Sequence, residues 1–175
     1  FTHDLVFVST LIGHCKDLSI THDCHWIENS DGNLPGKIWL RNTPSYEKDY
    51  KTSKKANEYY EEAKKLSPES KEDKIKHGFA ALRTSYEAQV VFGLFNGVVQ
   101  RFNERVSVDS LRNVSFTDEI RDELLDSFSQ CCRYMEGHLH SDKYAYQKPT
   151  LENLKEEIDR FDEIAKKIKT AKKDK

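Results

Sequence analysis

The stretch Ile75–Phe102, IKHGFAALRTSYEAQVVFGLFNGVVQRF, decides the fold. It is the most hydrophobic run of the chain, and its periodicity predicts one long helix over 75–102. At 100° per residue with Arg83 at the origin, Phe79, Val90 and Leu94 fall within about 40° of it, and Tyr86 and Val98 within about 60°. Glu87 lies about 40° away on the same side. Two charges therefore share the apolar face. Long charged side chains are almost never fully buried unless paired. The Arg83–Glu87 pair is either a structural ion pair or a polar site built into a helical core.

Downstream, 103–115 reads as a connection carrying Arg105 and Arg112, with Arg101 just before it. Thr117 or Ser115 can cap the next helix, and Asp118 and Glu119 suit its positive end. That helix is expected to run to about Glu136 and stop at Gly137. Its apolar face is Ile120, Leu124, Phe128, Cys131 and Met135. A loop over 138–149 ends at Pro149. The last helix runs from Thr150 to about Lys172, with a narrow seam of Leu151, Leu154, Ile158, Phe161, Ala165 and Ile168 suited to antiparallel packing.

Upstream, residues 45–68 read as a Lys/Glu-dense helix with Tyr46, Tyr50, Tyr59 and Tyr60 and a thin apolar face, a surface connector. Ser67-Pro68 ends it, and Pro68 opens the long helix where its missing N–H costs nothing. Residues 1–44 form a first unit: a strand end, a short helix on Leu5, Val8, Leu11 and Ile12, and a hairpin flanking the turn-rich 29–36. The fold class is mainly α, a bundle of about four helices after a small α/β unit. The domains are 1–44, a connecting helix 45–68 and a helical effector unit 69–175.

Of the 175 residues, 37% are hydrophobic and 33% charged, which suits long amphipathic helices with solvated faces. The net charge of −2 argues against broad, sequence-blind nucleic-acid binding but leaves room for a local basic site. No run of 18 apolar residues is present, so no transmembrane span is expected. Phe1–Leu11 has no basic region of the secretory kind. Four cysteines, Cys15, Cys24, Cys131 and Cys132, form no disulfide framework in a chain this long, and reduced, cytoplasmic thiols are expected. Opening at Phe1 inside an apolar run, with no Gly-x4-Gly-Lys-Ser/Thr loop anywhere, the chain reads as the C-terminal part of something longer.

Continued through Gly137, the helix that starts at Ile120 returns His138 to its apolar face, and His140 follows in the loop. An Arg, a Glu and a His between two packed helices suit metal-independent RNA cleavage. A His of near-neutral pKa can move a proton, Arg can hold a phosphorane bidentately, and Glu can act as base or orient its neighbours. The bland alternative is an ordinary i,i+4 ion pair beside a His that caps a helix. Cys15, His22, Cys24 and His25, with His14, could suggest zinc, but they match no standard ligand spacing; buried Cys and surface His explain them as well. The Lys-rich end, 166–175, reads first as a solvated tail at a helix C-terminus.

Two resemblances bear on these residues. Arg133-Tyr-Met-Glu-Gly-His138 is similar to the Arg-x4–6-His signature of HEPN ribonucleases, although Arg133 falls off the core face. Phe1-Thr-His3-Asp-Leu-Val-Phe7 resembles the segment that closes the ABC-type ATPase core of large SMC/RecN-like bacterial ATPases. That likeness makes His3 the switch histidine facing an ATP γ-phosphate. The rest resembles the C-terminal part of the AAA_13-type family, which includes the PrrC- and RloC-like anticodon nucleases. There an Arg-x3-Glu pair on one helix works with a downstream His; Arg83-Thr-Ser-Tyr-Glu87 matches the pair, and His138 or His140 the histidine. The resemblance implies ATP and Mg in the full-length protein, tRNA as the RNA partner, homo-oligomerisation through the ATPase, and a role in phage defence. The competing expectation is a non-catalytic dimerisation or regulatory extension of such an ATPase.

Overall fold

The computed structural model describes residues 1–28, 36–41, 48–100, 106–114, 116–135 and 148–173. These residues are mainly helical, with one two-stranded sheet among them. Helix α1 spans Leu5–Asp17; Asp4 caps it by accepting the Phe7 N–H at 3.0 Å. Strands β1 (Trp26–Glu28) and β2 (Lys37–Trp39) pair antiparallel with Ile27 opposite Ile38. α1 buries none of its residues, and Val6, Phe7, Leu11, Ile27 and Ile38 are all exposed. The residues before Leu5 form no strand.

The bundle consists of α2 (Lys54–Lys64), α3 (Pro68–Ala88), α4 (Asp118–Arg133) and α5 (Leu151–Lys173). α3 packs against each of the other three, α4 and α2 each also pack on α5, and α3 and α5 face one another across the middle. Phe79, Leu82, Tyr86, Leu154, Ile158, Phe161, Ile164 and Ile168 are all but sealed from solvent. The Tyr86 and Phe161 rings meet edge to face at 5.0 Å.

Besides that missing strand, four expectations change. The long helix opens at Pro68 as expected, but it leaves α geometry after Ala88 instead of running to about Phe102. It widens into a π turn over Gln89–Leu94, then breaks at Asn96 (φ 49°) and Gly97 (φ 70°). An Asn-Gly pair adopts left-handed backbone readily, and that ends the helix although apolar residues continue past it. Val98 is still buried, reached through the turn rather than along a helical face.

The 45–68 segment contains a 3-10 turn at Lys48–Lys51 and then α2, which is no surface connector. Ala56 and Ala63 are fully buried, and the Ser85 hydroxyl of α3 donates to the Thr52 carbonyl at 3.1 Å just ahead of α2. Small side chains carry little hydrophobic weight in a periodicity, yet they let two helix backbones approach closely.

α4 is capped by Thr117, whose Oγ1 accepts the Ile120 N–H at 3.2 Å, and it ends at Arg133 rather than near Gly137. The Tyr134 N–H closes back on the Gln130 and Cys131 carbonyls, and its ring packs on Phe79 at 4.5 Å. The helical projection that returned His138 to the apolar face therefore loses its basis at Arg133, and His138 itself lies outside the described residues.

α5 opens with a reciprocal cap: Thr150 Oγ1 accepts the Asn153 N–H at 3.1 Å, and Asn153 Oδ1 accepts the Thr150 N–H at 3.3 Å. Its expected seam drifts. Ile164 is buried where Ala165 was expected, and Glu157 joins the buried set. A straight helix repeats at 3.6 rather than 3.5 residues per turn, so a heptad seam slides around it. Among the described residues no helix is long and apolar enough to cross a membrane.

Candidate functional site

Arg83 and Glu87 do face each other, with Arg83 Nη2 3.2 Å from Glu87 Oε1. They are not core residues: their side chains are 34% and 31% exposed. Arg83 does not mark the centre of the apolar face. The fully buried residues of α3, Phe79, Leu82, Ser85 and Tyr86, centre about 90° around the helix from it. Because α3 touches three helices, its buried arc is wide, and Arg83 and Glu87 stand on its rim.

That rim meets the C-terminal half of α4. The Arg83 guanidinium lies 5.7 Å from the centroid of the Phe128 ring, within cation–π range. Arg83 Nε is shielded from solvent and has no hydrogen-bond partner among the described residues. The buried Cys132 thiol lies beside the pair; burial pushes its pKa up, with Arg83 pulling it back and Glu87 adding to the rise.

The rim continues toward the start of α3. Glu72, Lys76, Phe79, Arg83 and Glu87 fall on one stripe about 22 Å long. Lys76 Nζ sits 3.0 Å from Glu72 Oε1, and Lys148 Nζ lies 3.0 Å from Glu72 Oε2. Hydrogen bonds from these two lysines hold the Glu72 carboxyl down to about 2.

His138 and His140 lie in 136–147, outside the described residues. Both flanks of that segment are described, and both rest on this stripe. Tyr134, just before it, stacks on Phe79, one turn from Arg83; Lys148, just after it, pairs with Glu72.

His3 is exposed ahead of α1, an element that adds no buried residue to the core. Arg133 is the last residue of α4. His25 Nδ1 accepts the Arg41 N–H at 3.1 Å, a contact within the small sheet unit. Among the described residues, no three His, Cys, Asp or Glu side chains are gathered as metal ligands. In the Lys-rich tail, Lys167 pairs with Glu119 at 3.2 Å and also with Glu123, so its charge ties α5 to α4.

One polar cluster has no counterpart among the sequence-based expectations. Glu157 of α5 is 6% exposed, and its Oε1 accepts the Tyr86 O–H at 2.9 Å. Ser127 of α4 is fully buried alongside, its Oγ without a hydrogen-bond partner among the described residues. Burial raises the Glu157 pKa above the carboxylate range and the Tyr86 pKa far above that of a free phenol. A helical wheel holds the signal: on α5 Glu157 falls between Phe161 and Ile164, within about 60° of Leu154. No protein-family model, no curated protein and no solved structure matches the chain.

Proposed function

We propose that this chain is the helical effector part of an ATP-regulated bacterial ribonuclease, a HEPN-like unit that cleaves tRNA in the anticodon region as a phage defence. In this reading the ribose 2′-oxygen attacks the adjacent phosphorus and the P–O5′ bond breaks. The products are a 2′,3′-cyclic phosphate and a 5′-hydroxyl. Glu87 takes the 2′-OH proton, Arg83 holds the pentacovalent phosphorus through its Nη groups, and His138 or His140 protonates the departing 5′-oxygen. ATP and Mg would act on the ATPase part of the full-length protein, to which His3 belongs by resemblance, and that part would carry the homo-oligomer contacts.

What carries the reading is the layout of α3. Arg83 and Glu87 stand on a partly exposed rim, and both flanks of the histidine-bearing segment rest on the same stripe. The test is cleavage of tRNA by the full-length protein in EDTA, wild type against Arg83→Ala, Glu87→Ala, His138→Ala and His140→Ala. Removing the base or the acid should slow cleavage about 10²- to 10⁴-fold, and equal cleavage by all five proteins would sink the assignment.

A second reading is favoured by the shielded Nε of Arg83 and its ring contact with Phe128, both of which suit a structural pair. The bundle would then be a non-catalytic dimerisation or regulatory extension of the ATPase. Arg83→Met/Glu87→Leu separates the two: a structural pair so replaced keeps stability and function, whereas a catalytic pair keeps the fold and loses cleavage.

A further inference from the structure

At the Tyr86–Glu157 contact the centre of the bundle is closed by a titratable group. Three helices supply what surrounds it. α3 contributes Tyr86, sealed from solvent and donating its O–H to Glu157 Oε1 at 2.9 Å. α4 contributes Ser127, Cys131 and Asp126, and Tyr134 follows just after it. α5 itself contributes Arg160, the nearest cation. Arg160 Nη2 is already 2.6 Å from Asp126 Oδ2 at the more exposed edge. The carboxyl therefore has two neutral hydroxyls at hand, Tyr86 and Ser127, a second carboxylate nearby, and a guanidinium whose charge is shared with that second carboxylate.

We propose that Glu157 is a proton-operated latch joining α3, α4 and α5, closed when its carboxyl is protonated and loosened when it ionises. A protonated carboxyl needs less solvation, and its new O–H can be offered to Ser127 Oγ, which otherwise lacks a partner among the described residues. An ionised carboxylate in the same place is a buried charge with incomplete compensation. The raised pKa of Glu157 agrees with this balance. The latch acts on Tyr86, one residue from Glu87 and one from Ser85, which ties α3 to the start of α2. Its state is thus transmitted to the rim that holds Arg83 and Glu87, whether or not that rim cleaves RNA.

The sign follows from linkage. A carboxyl whose folded pKa lies above its unfolded value stabilises the fold fully below the unfolded pKa, and that contribution fades as pH rises through the folded pKa. The experiment is urea unfolding of the wild type and Glu157→Gln across about pH 5 to pH 8. Gln copies the neutral carboxyl, and other titrating groups cancel in the comparison. The unfolding midpoint of Glu157→Gln should gain on the wild type as pH rises from the unfolded carboxylate pKa to the raised folded one, and level off above it. A constant difference would overturn the latch, and so would one that shrinks with pH, which would mean that Arg160 holds the carboxylate ionised. If Glu157→Gln does not fold, carboxyl-detected NMR titration of the wild type, with Glu157 assigned through its backbone, decides the matter directly. A midpoint above the ordinary carboxylate range supports the latch, and one within or below it refutes the latch.

Discussion

Gly78→Ala should destabilise the protein, against the ordinary rule for a glycine inside a helix. Replacing an interior helical glycine by alanine gains about 1 kcal/mol from propensity. At this position, however, the new methyl carbon would stand 2.5 Å from Leu154 Cδ2 and 3.0 Å from Cδ1. Carbon atoms rest at about 3.5–4.0 Å, so the Leu154 side chain must retreat by about 1 Å. It has nowhere to go, because Leu154 is fully buried in the α3–α5 contact. Overpacking of this kind costs about 1–3 kcal/mol, which outweighs the propensity gain and leaves a net loss of about 1 kcal/mol. In a domain of this size that lowers the midpoint of thermal unfolding by about 3 °C. The decisive measurement is a double-mutant cycle with Leu154→Ala, read by urea unfolding. Leu154→Ala alone should cost about 2–5 kcal/mol. In that background the Gly78 methyl enters the vacated space, and Gly78→Ala should become stabilising by about 1–2 kcal/mol through propensity and burial together. The coupling is then about 2–3 kcal/mol. If Gly78→Ala has the same effect in both backgrounds, or stabilises the wild type, the close α3–α5 approach at Gly78 is wrong.

Two further outcomes test other parts of the structure. Glu72→Gln should flatten the acid limb of stability: the Glu72 carboxyl is depressed to about 2, so its contribution is present above the unfolded carboxylate pKa and fades as pH falls toward 2. A limb unchanged between about pH 4.5 and pH 2 would show that Lys76 and Lys148 do not hold it. Thr117→Ala should cost about 1 kcal/mol in urea unfolding by removing the cap on α4, and Thr117→Ser should restore most of it; full stability in the Ala variant would contradict the Ile120 N–H contact.

Legibility in the sequence tracks how much of each signal is local. α4 and α5 are readable because capping residues and apolar spacing agree: Thr117 and Thr150 are in place, and Ile120, Leu124, Leu154, Ile158, Phe161 and Ile168 are buried as expected. α2 misleads because its buried positions are alanines, which weigh little beside its tyrosines and lysines. The end of α3 misleads because Val98 keeps the apolar pattern going and outweighs Asn96-Gly97, the turn signal. Glu157 is easily passed over because a glutamate in a Lys/Glu-rich helix reads as solvated surface. Tyr86, 71 residues earlier, makes its burial tolerable, and no local window contains that partner. The Arg83–Glu87 pair is legible from its spacing, but its depth is not, since depth depends on how many helices surround α3.

That depth matters for the proposed chemistry. A sealed Arg–Glu pair could not exchange its partner, whereas a pair about one-third exposed on a helix rim can. At rest Glu87 pairs with Nη2 of the Arg83 guanidinium, so the cation is already largely neutralised and, on the proposed reading, would attract RNA only weakly, in keeping with a chain of net charge −2. A scissile phosphate entering between them would compete for the Nη groups and take the stronger, bidentate geometry. Glu87 would be released from its counter-ion as the phosphate arrives, and its basicity would rise where a 2′-OH proton has to be removed. The same exchange would swap one carboxylate for one phosphate on Arg83, so binding would be modest and the gain would fall on the transition state, where charge on the phosphorane oxygens is greatest. On the proposed reading such a site would stay quiet until its substrate is in register, and the histidine segment, whose flanks are Tyr134 on Phe79 and Lys148 on Glu72, would be the part left to set that register.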